Sequence, residues 1–150
     1  MDLRKLDHAP SIAAVMTPFP YSVSVHDPIE RAWELMEQHK IRHVPVQDQH
    51  ALVGIVAERD LVAFGAHLRA DANGEPIKVG YVCIPDPYVV ETTARLDVVV
   101  ATMAARHIGS ALVVKEGRLA GIFTTSDACR LLAEILRARF PSPSDDDLVA

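Results

Sequence analysis

The sequence predicts an α/β fold made of two β-α-β-β-α repeats related by a pseudo-twofold axis. Three observations predict it. The chain contains itself twice: shifted by 67 positions, residues 15–64 fall on 82–131 without a gap. Val15 lands on Val82, Pro18 on Pro85, Tyr21 on Tyr88, Met36 on Met103, Gly54 on Gly121 and Asp60 on Asp127. Such a repeat defines the folding unit ahead of any local reading, and two copies, rather than many, are expected to bury a shared face. Within each copy, alternating apolar stretches flank helix-spaced ones. Finally, 150 residues, 49% apolar and 23% charged, suit one globular module with a substantial core.

The elements follow in order. Residues 1–10 read as an N-terminal tail without an apolar leader segment, so no secretory signal is expected there. The first repeat spans 11–69. Ser11–Met16 suits a short helix, and Tyr21–Val25 alternates as a strand. Asp27-Pro28 suits a helix start, with Asp as N-cap and Pro at the first helical position. Ile29, Ala32, Trp33, Leu35 and Met36 supply the helix's inner face. His43–Val46 and Leu52–Val56 make a hairpin around a polar turn, and a closing helix runs from Glu58 to about Leu68.

Residues 70–77, rich in Ala, Asp, Gly and Pro, read as a linker. The second repeat, 78–139, follows the same plan. Tyr88–Thr92 is a strand and Arg95–Arg106 a helix. Ser110–Val114 and Leu119–Phe123 form a hairpin whose Gly117 suits a positive φ, and a last helix starts at Thr125. Residues 140–150 form an acidic tail of disordered composition.

Composition narrows the function classes. The net charge of −5 and dispersed Lys and Arg argue against nucleic acid as a partner. No run approaches the roughly 18 apolar residues of a membrane span. Cys83 and Cys129 make no disulfide framework and read as reduced thiols of a cytoplasmic protein. Seven histidines show no metal-ligand spacing. No nucleophile motif or Walker loop is present, so no catalytic residue and no catalytic cofactor is assigned.

The most informative local sequence is Gly54-Ile-Val-Ala-Glu-Arg-Asp60 and its twin Gly121-Ile-Phe-Thr-Thr-Ser-Asp127. Each ends a strand and opens a helix. The Gly allows close approach of a neighbouring strand. Thr124, Thr125 and Ser126 place hydroxyls and backbone N–H groups at a helix N-terminus, where anions are favoured. Asp127 in the first turn suits the two hydroxyls of a ribose. Each carboxylate has a plainer explanation too, as a first-turn acid favoured by the helix dipole by roughly 0.3–1 kcal/mol.

These segments, with Val15-Met-Thr-Pro18 and His39-Lys-Ile-Arg-His-Val-Pro-Val46, resemble the tandem cystathionine β-synthase (CBS) domain pair, or Bateman module, over residues 11–138. The resemblance implies two halves packed sheet to sheet, with clefts between them for AMP, ADP, ATP or S-adenosylmethionine. It implies a regulatory, non-catalytic role, and a homodimer. Excess apolar residues on one helix (Val98, Val99, Val100, Ala101, Met103, Ala104) agree with burial at an interface. With no output domain among these 150 residues, the response is expected to pass to a separate protein partner or to a homodimer.

By the same resemblance, the main cleft combines Thr124, Ser126 and Asp127 with Met16, Phe19, Tyr21, Arg42, His43 and Val44. Asp127 would hold the ribose, Thr124 and Ser126 would reach phosphate, Arg42 and protonated His43 would add positive charge, and the apolar residues would sandwich the base. A second cleft would combine Arg59 and Asp60 with Cys83, Asp86, Tyr88, Ser110 and Ala111. It departs from the pattern: Ala57 stands where Thr124 does, and Gly109-Ser110 where Arg42-His43 does. The Asp127 cleft is therefore the better candidate. The competing reading is an interaction module that binds no ligand, and an enzyme acting on a nucleotide ranks behind both because no activating base or metal beyond His43 can be named.

Overall fold

A computed structural model describes residues 7–65 and 70–141. The first repeat contains β1 (Thr17–Pro18), β2 (Val23–Ser24), α1 (Ile29–His39), β3 (His43–Asp48), β4 (Ala51–Ala57) and α2 (Glu58–Gly65). The second contains α3 (Val79–Val82), β5 (Ile84–Pro85), β6 (Val89–Glu91), α4 (Leu96–Arg106), β7 (Ser110–Lys115), β8 (Arg118–Thr124) and α5 (Thr125–Arg139). A one-turn 3-10 helix, Ile12–Ala14, precedes β1 and corresponds in the repeat to α3. The expected end of α2 near Leu68 and the acidic tail from residue 142 lie outside the described residues.

The repeat extends to backbone detail. Each half has a parallel strand pair followed by an antiparallel hairpin, with bulges at Val46/Gln47 and Val113/Val114. Three pairs of non-glycine residues with positive φ fall 67 positions apart: Phe19 and Asp86, Lys40 and His107, Gln49 and Glu116. Gly117 has the positive φ its turn requires. The two halves therefore use one backbone solution with different side chains.

The sheets are nevertheless crossed. One has the order β2-β3-β4-β5 and the other β1-β8-β7-β6. Thus β1, from the first repeat, pairs antiparallel with β8 of the second, and β5 pairs with β4 of the first. The preceding turns cross as well. Ile12 N–H donates to Ala94 O at 2.7 Å, and Ile12 is buried with Val99, Met103, Ala111, Val113 and Phe123. Val79 N–H donates to Asp27 O at 2.8 Å, and Val79 is buried with Val23, Ile29, Leu35, Val44 and Val56. A third cluster, Ile55, Leu112 and Ile122 with Leu52 and Leu119, lies between the two sheets. The chain is thus the expected pair of repeats packed through their sheets, with exchanged N-terminal arms.

Glycine makes the crossing possible. A methyl group on Gly54 would sit 2.8 Å from Ile84 O and 3.1 Å from Cys83 Sγ, and one on Gly121 would overlap Met16 Sδ. Both glycines lie on the strand that receives the other repeat's arm.

One expectation needs correction. Asp27 does not cap α1: Pro28 holds the N-cap position without a side-chain cap bond. Asp27 Oδ2 instead accepts from Ser24 N–H at 2.8 Å, tightening the turn before the helix. Residues 70–77 do more than link: Asp71 Oδ1 accepts from Asn73 and Glu75 N–H at 2.8 and 2.9 Å, folding the segment into a side-chain-stabilised turn. On α4, Val99 and Met103 turn inward and Val98 is left 55% exposed.

Candidate functional site

The Asp127 loop forms where β8 ends and α5 begins. Thr124 is the N-cap of α5, and the pair closes a capping box. Thr124 Oγ1 accepts from Asp127 N–H at 3.3 Å, while Asp127 Oδ2 accepts from Thr124 N–H and the Thr124 hydroxyl, each at 2.8 Å. Oδ1 faces Arg130 at 3.1 Å. Asp127 is only 8% exposed, and both its oxygens are engaged. The plainer explanation of this carboxylate is thus realised: it starts a helix. Ser126 is exposed beside it.

The other repeat reaches this loop through two contacts. Thr17 and Pro18 pair with Ile122 and Gly121, Phe19 N–H donates to Ala120 O at 3.0 Å, and Met16 Sδ packs over Gly121. Phe19, with its positive φ, points its ring into water at 88% exposure. Second, His43 lies against Gly109: a methyl group on Gly109 would be 3.0 Å from His43 Nε2 and 3.6 Å from Thr125 Oγ1. Thr125 ties itself to Gly109 O through its N–H and its hydroxyl, both at 3.0 Å. The hairpin start of one repeat thereby meets the hairpin start of the other, beside its helix start.

The remaining residues of the main cleft have other partners. Arg42 Nε lies 3.5 Å from Glu58 Oε2. Tyr21 stacks on His39, ring centroids 3.7 Å apart. Val44 is fully buried in the first core, so only its backbone can face a cleft. His43 is half-buried, and burial, then Arg59 and Arg42, hold its pKa below the usual value, with Asp60 in partial opposition. The imidazole is therefore neutral near pH 7, without the positive charge expected of it.

The second candidate set is more loosely organised. Arg59 Nε is 3.8 Å from Asp60 Oδ1, the place that the capping threonine fills in the other repeat being taken by Ala57. Cys83 packs against the first core, and burial raises its thiol pKa, which disfavours a reactive thiolate. Asp86 repeats the positive φ of Phe19. Tyr88 lies under the Arg106 guanidinium, 5.4 Å from ring centre to Cζ, as Tyr21 lies against His39. Ser110 pairs in register with Thr124, and Ala111 is fully buried.

With this geometry in place, a model of the CBS domain matches residues 12–67 and again 79–134. The chain belongs to the CBS domain family. Among curated proteins, it is similar to hypoxic response protein 1 of Mycobacterium tuberculosis, 28% identical over 113 residues that cover 75% of this chain and 78% of that one. Among solved structures it resembles a Vibrio cholerae protein ascribed to acetoin utilization (AcuB), with TM-score 0.74, 30% identity, and 91% and 99% of the two chains covered. It also resembles CBSX2 in complex with AMP, with TM-score 0.73, 28% identity, and 85% and 99% covered.

Around the CBS pair's loops, sequence reasoning missed what Glu58 and Thr125 do for the hairpins, and missed Arg130 altogether. Glu58 and Thr125 are repeat equivalents whose N–H groups bond the carbonyls of Arg42 and Gly109 at 2.9 and 3.0 Å, fixing each helix start to its hairpin start. Arg130 holds Asp127, and its i,i+3 spacing was readable from sequence. Two cavities of the CBS pair are lined mainly by other residues. One of about 1310 Å³ is lined by Val25, Pro28, Phe64, Ile77 and Tyr81, and one of about 800 Å³ by Trp33, Glu37, Arg42 and Glu58. No helix among the described residues is long and apolar enough to cross a membrane.

Proposed function

We propose that this CBS pair is a regulatory, non-catalytic module of the cytoplasm. It binds an adenosine-containing ligand (AMP, ADP, ATP or S-adenosylmethionine) between its repeats and acts as a homodimer on a protein partner. The observation that carries the reading is the crossed architecture. The strand that ends in the Asp127 loop also carries the Met16–Phe19 arm of the other repeat, and His43 meets Gly109 beside Thr125. A molecule seated there touches both halves and can shift their arrangement by as much as its affinity differs between the two states. The AMP complex of CBSX2 supports the ligand class.

In this reading Asp127 Oδ1 exchanges Arg130 for ribose hydroxyls while Oδ2 keeps the helix cap. The Ser126 hydroxyl and Arg42, released from Glu58, take phosphate. Met16 and Phe19 flank the base. The Asp60 side is the weaker cleft. The test is calorimetry with the four ligands on the wild type, Asp127→Ala and Asp60→Ala. Loss of a buried charge-assisted hydrogen bond, about 1.5–3 kcal/mol, weakens binding roughly tenfold or more. The larger loss is expected for Asp127→Ala, and a larger loss for Asp60→Ala would move the site to the other cleft.

One observation favours a second reading. Both oxygens of Asp127 are already engaged, as they would be in an interaction module that binds no ligand. Absence of binding by all four compounds at millimolar concentration would establish it in place of the sensor.

A further inference from the structure

The hairpin and helix starts of the two repeats carry different chemistry on one backbone. In the first repeat they hold Arg42, His43, Glu58, Arg59 and Asp60. The equivalent places in the second hold Gly109, Ser110, Thr125, Ser126 and Asp127, so only the aspartate is kept. The fixed charges of this region are matched one to one. Arg42 faces Glu58 at 3.5 Å, Arg59 faces Asp60 at 3.8 Å and Arg130 faces Asp127 at 3.1 Å. An anion entering between the repeats therefore meets Ser126 and the start of α5, but no surplus of fixed positive charge. His43 is the one group of the set whose charge can change near neutral pH. It stands where the repeats meet: a methyl group on Gly109 would come within 3.0 Å of its Nε2 and 3.3 Å of its Cε1. The charged groups that act on the ring are Arg42 on its own strand and Arg59 and Asp60 on α2. From β7 and α5 it meets Gly109 and Thr125, neither of which titrates.

We infer that His43 links anion binding to proton uptake: a phosphate-bearing ligand between the repeats is bound together with a proton on this imidazole, and an uncharged nucleoside is bound without one. This linkage rests on the ligand-binding reading above and names what the site senses in its ligand, a negative charge. In the unliganded protein, burial first and Arg59 next keep the ring neutral, with Asp60 in partial opposition. An opposite charge within about 4–6 Å moves such a group by roughly 1–3 pH units in favour of its charged form. Half-burial sharpens the effect, because a partly buried pair is screened less than an exposed one. Arginine cannot take this part, since it stays charged throughout. With the imidazole's pKa higher in the complex than in the unliganded protein, nucleotide affinity rises as pH falls toward the value in the complex. The same proton is absent from the second repeat's side, where Ser110 stands in place of the histidine.

The test is an NMR titration of the histidine ring signals of the full chain. It is run on the protein alone, with adenosine, and with whichever of AMP, ADP and ATP binds most tightly. The His43 signal is the one missing from His43→Gln, or from His43→Asn should circular dichroism show the first variant misfolded. With the nucleotide, the His43 midpoint is expected to rise by at least about one pH unit, and with adenosine to stay in place. In parallel, calorimetry at pH 7 in two buffers of different ionisation enthalpy counts the protons bound with the nucleotide. The wild type should take up more than the variant, a difference that discounts titration of the ligand's own phosphate. From pH 8 to pH 6 the nucleotide affinity of the wild type relative to the variant should rise severalfold, about tenfold being the limit for a one-unit displacement. A nucleotide that binds and leaves the His43 midpoint unmoved overturns the linkage while the ligand-binding reading stands. So does an equal displacement by adenosine, or binding of S-adenosylmethionine alone. Failure of AMP, ADP, ATP and S-adenosylmethionine all to bind overturns both.

Discussion

Thr124 and Ala57 occupy the same place in the two repeats, yet only Thr124 can close a capping box with the aspartate three residues on. Thr124→Ala should therefore cost about 1 kcal/mol of stability, read from urea unfolding. Ala57→Thr should build the missing cap with Asp60 and add roughly 0.5–1 kcal/mol, and a neutral or harmful result would show that the Asp60 loop holds a different backbone. His43 gives a second residue-level expectation. Its pKa is depressed in the folded state, so on acidification the unfolded chain takes up the proton first. Its contribution is intact above the ordinary value near 6.5 and declines as pH falls below it. The melting temperature should thus drop less between pH 7 and pH 5 for His43→Gln than for the wild type. An equal drop would mean that His43 titrates normally. At this scale the Thr–Asp pairing was visible in the sequence, but its partners were not. Spacing names residues that share a helix start. It does not say whether a carboxylate there serves the backbone, a neighbouring arginine or a ligand.

Among the elements, the hairpins and the long helices were legible because each has its own periodicity, and α5 begins where Thr125 predicts. The arms were not. Thr17–Pro18 and Ile84–Pro85 are two-residue strands containing proline, with no alternation to detect, and their partners lie in the other repeat. The only local hint was a glycine in each receiving strand. That glycine makes a quantitative contrast. At Gly54 a methyl group meets the backbone carbonyl of Ile84, which cannot move without unpairing β5 from β4. At Gly121 it meets the flexible end of Met16 before the Thr17 carbonyl at 3.1 Å. Gly54→Ala should destabilise by about 1–3 kcal/mol, and Gly121→Ala by less. Denaturant midpoints at unchanged m-value would check the order, and a reversed order would mean that Met16 is the less yielding neighbour.

For the whole molecule, the crossing means that the sequence repeat and the packed unit are offset. The first core draws its buried residues from between Val23 and Val82, whereas the second takes Ile12 together with residues from Val99 onward. A fragment of residues 20–87 keeps one complete sheet and its core. The sequence repeat 11–69 lacks α3 and β5 and carries an orphaned Ile12. The longer fragment should therefore give more helical circular dichroism and a more cooperative urea transition than 11–69, and equal behaviour would show that the arms add little. The same exchange bears on how such a chain could arise. One repeat on its own has an arm with no strand to receive it and a receiving strand with no arm. Two identical copies, each lending its arm to the other, leave neither unmatched. A single repeat of this kind would then be complete only as a pair, and joining two copies in one chain would leave equivalent positions such as Arg42 and Gly109, or Glu34 and Ala101, free to differ.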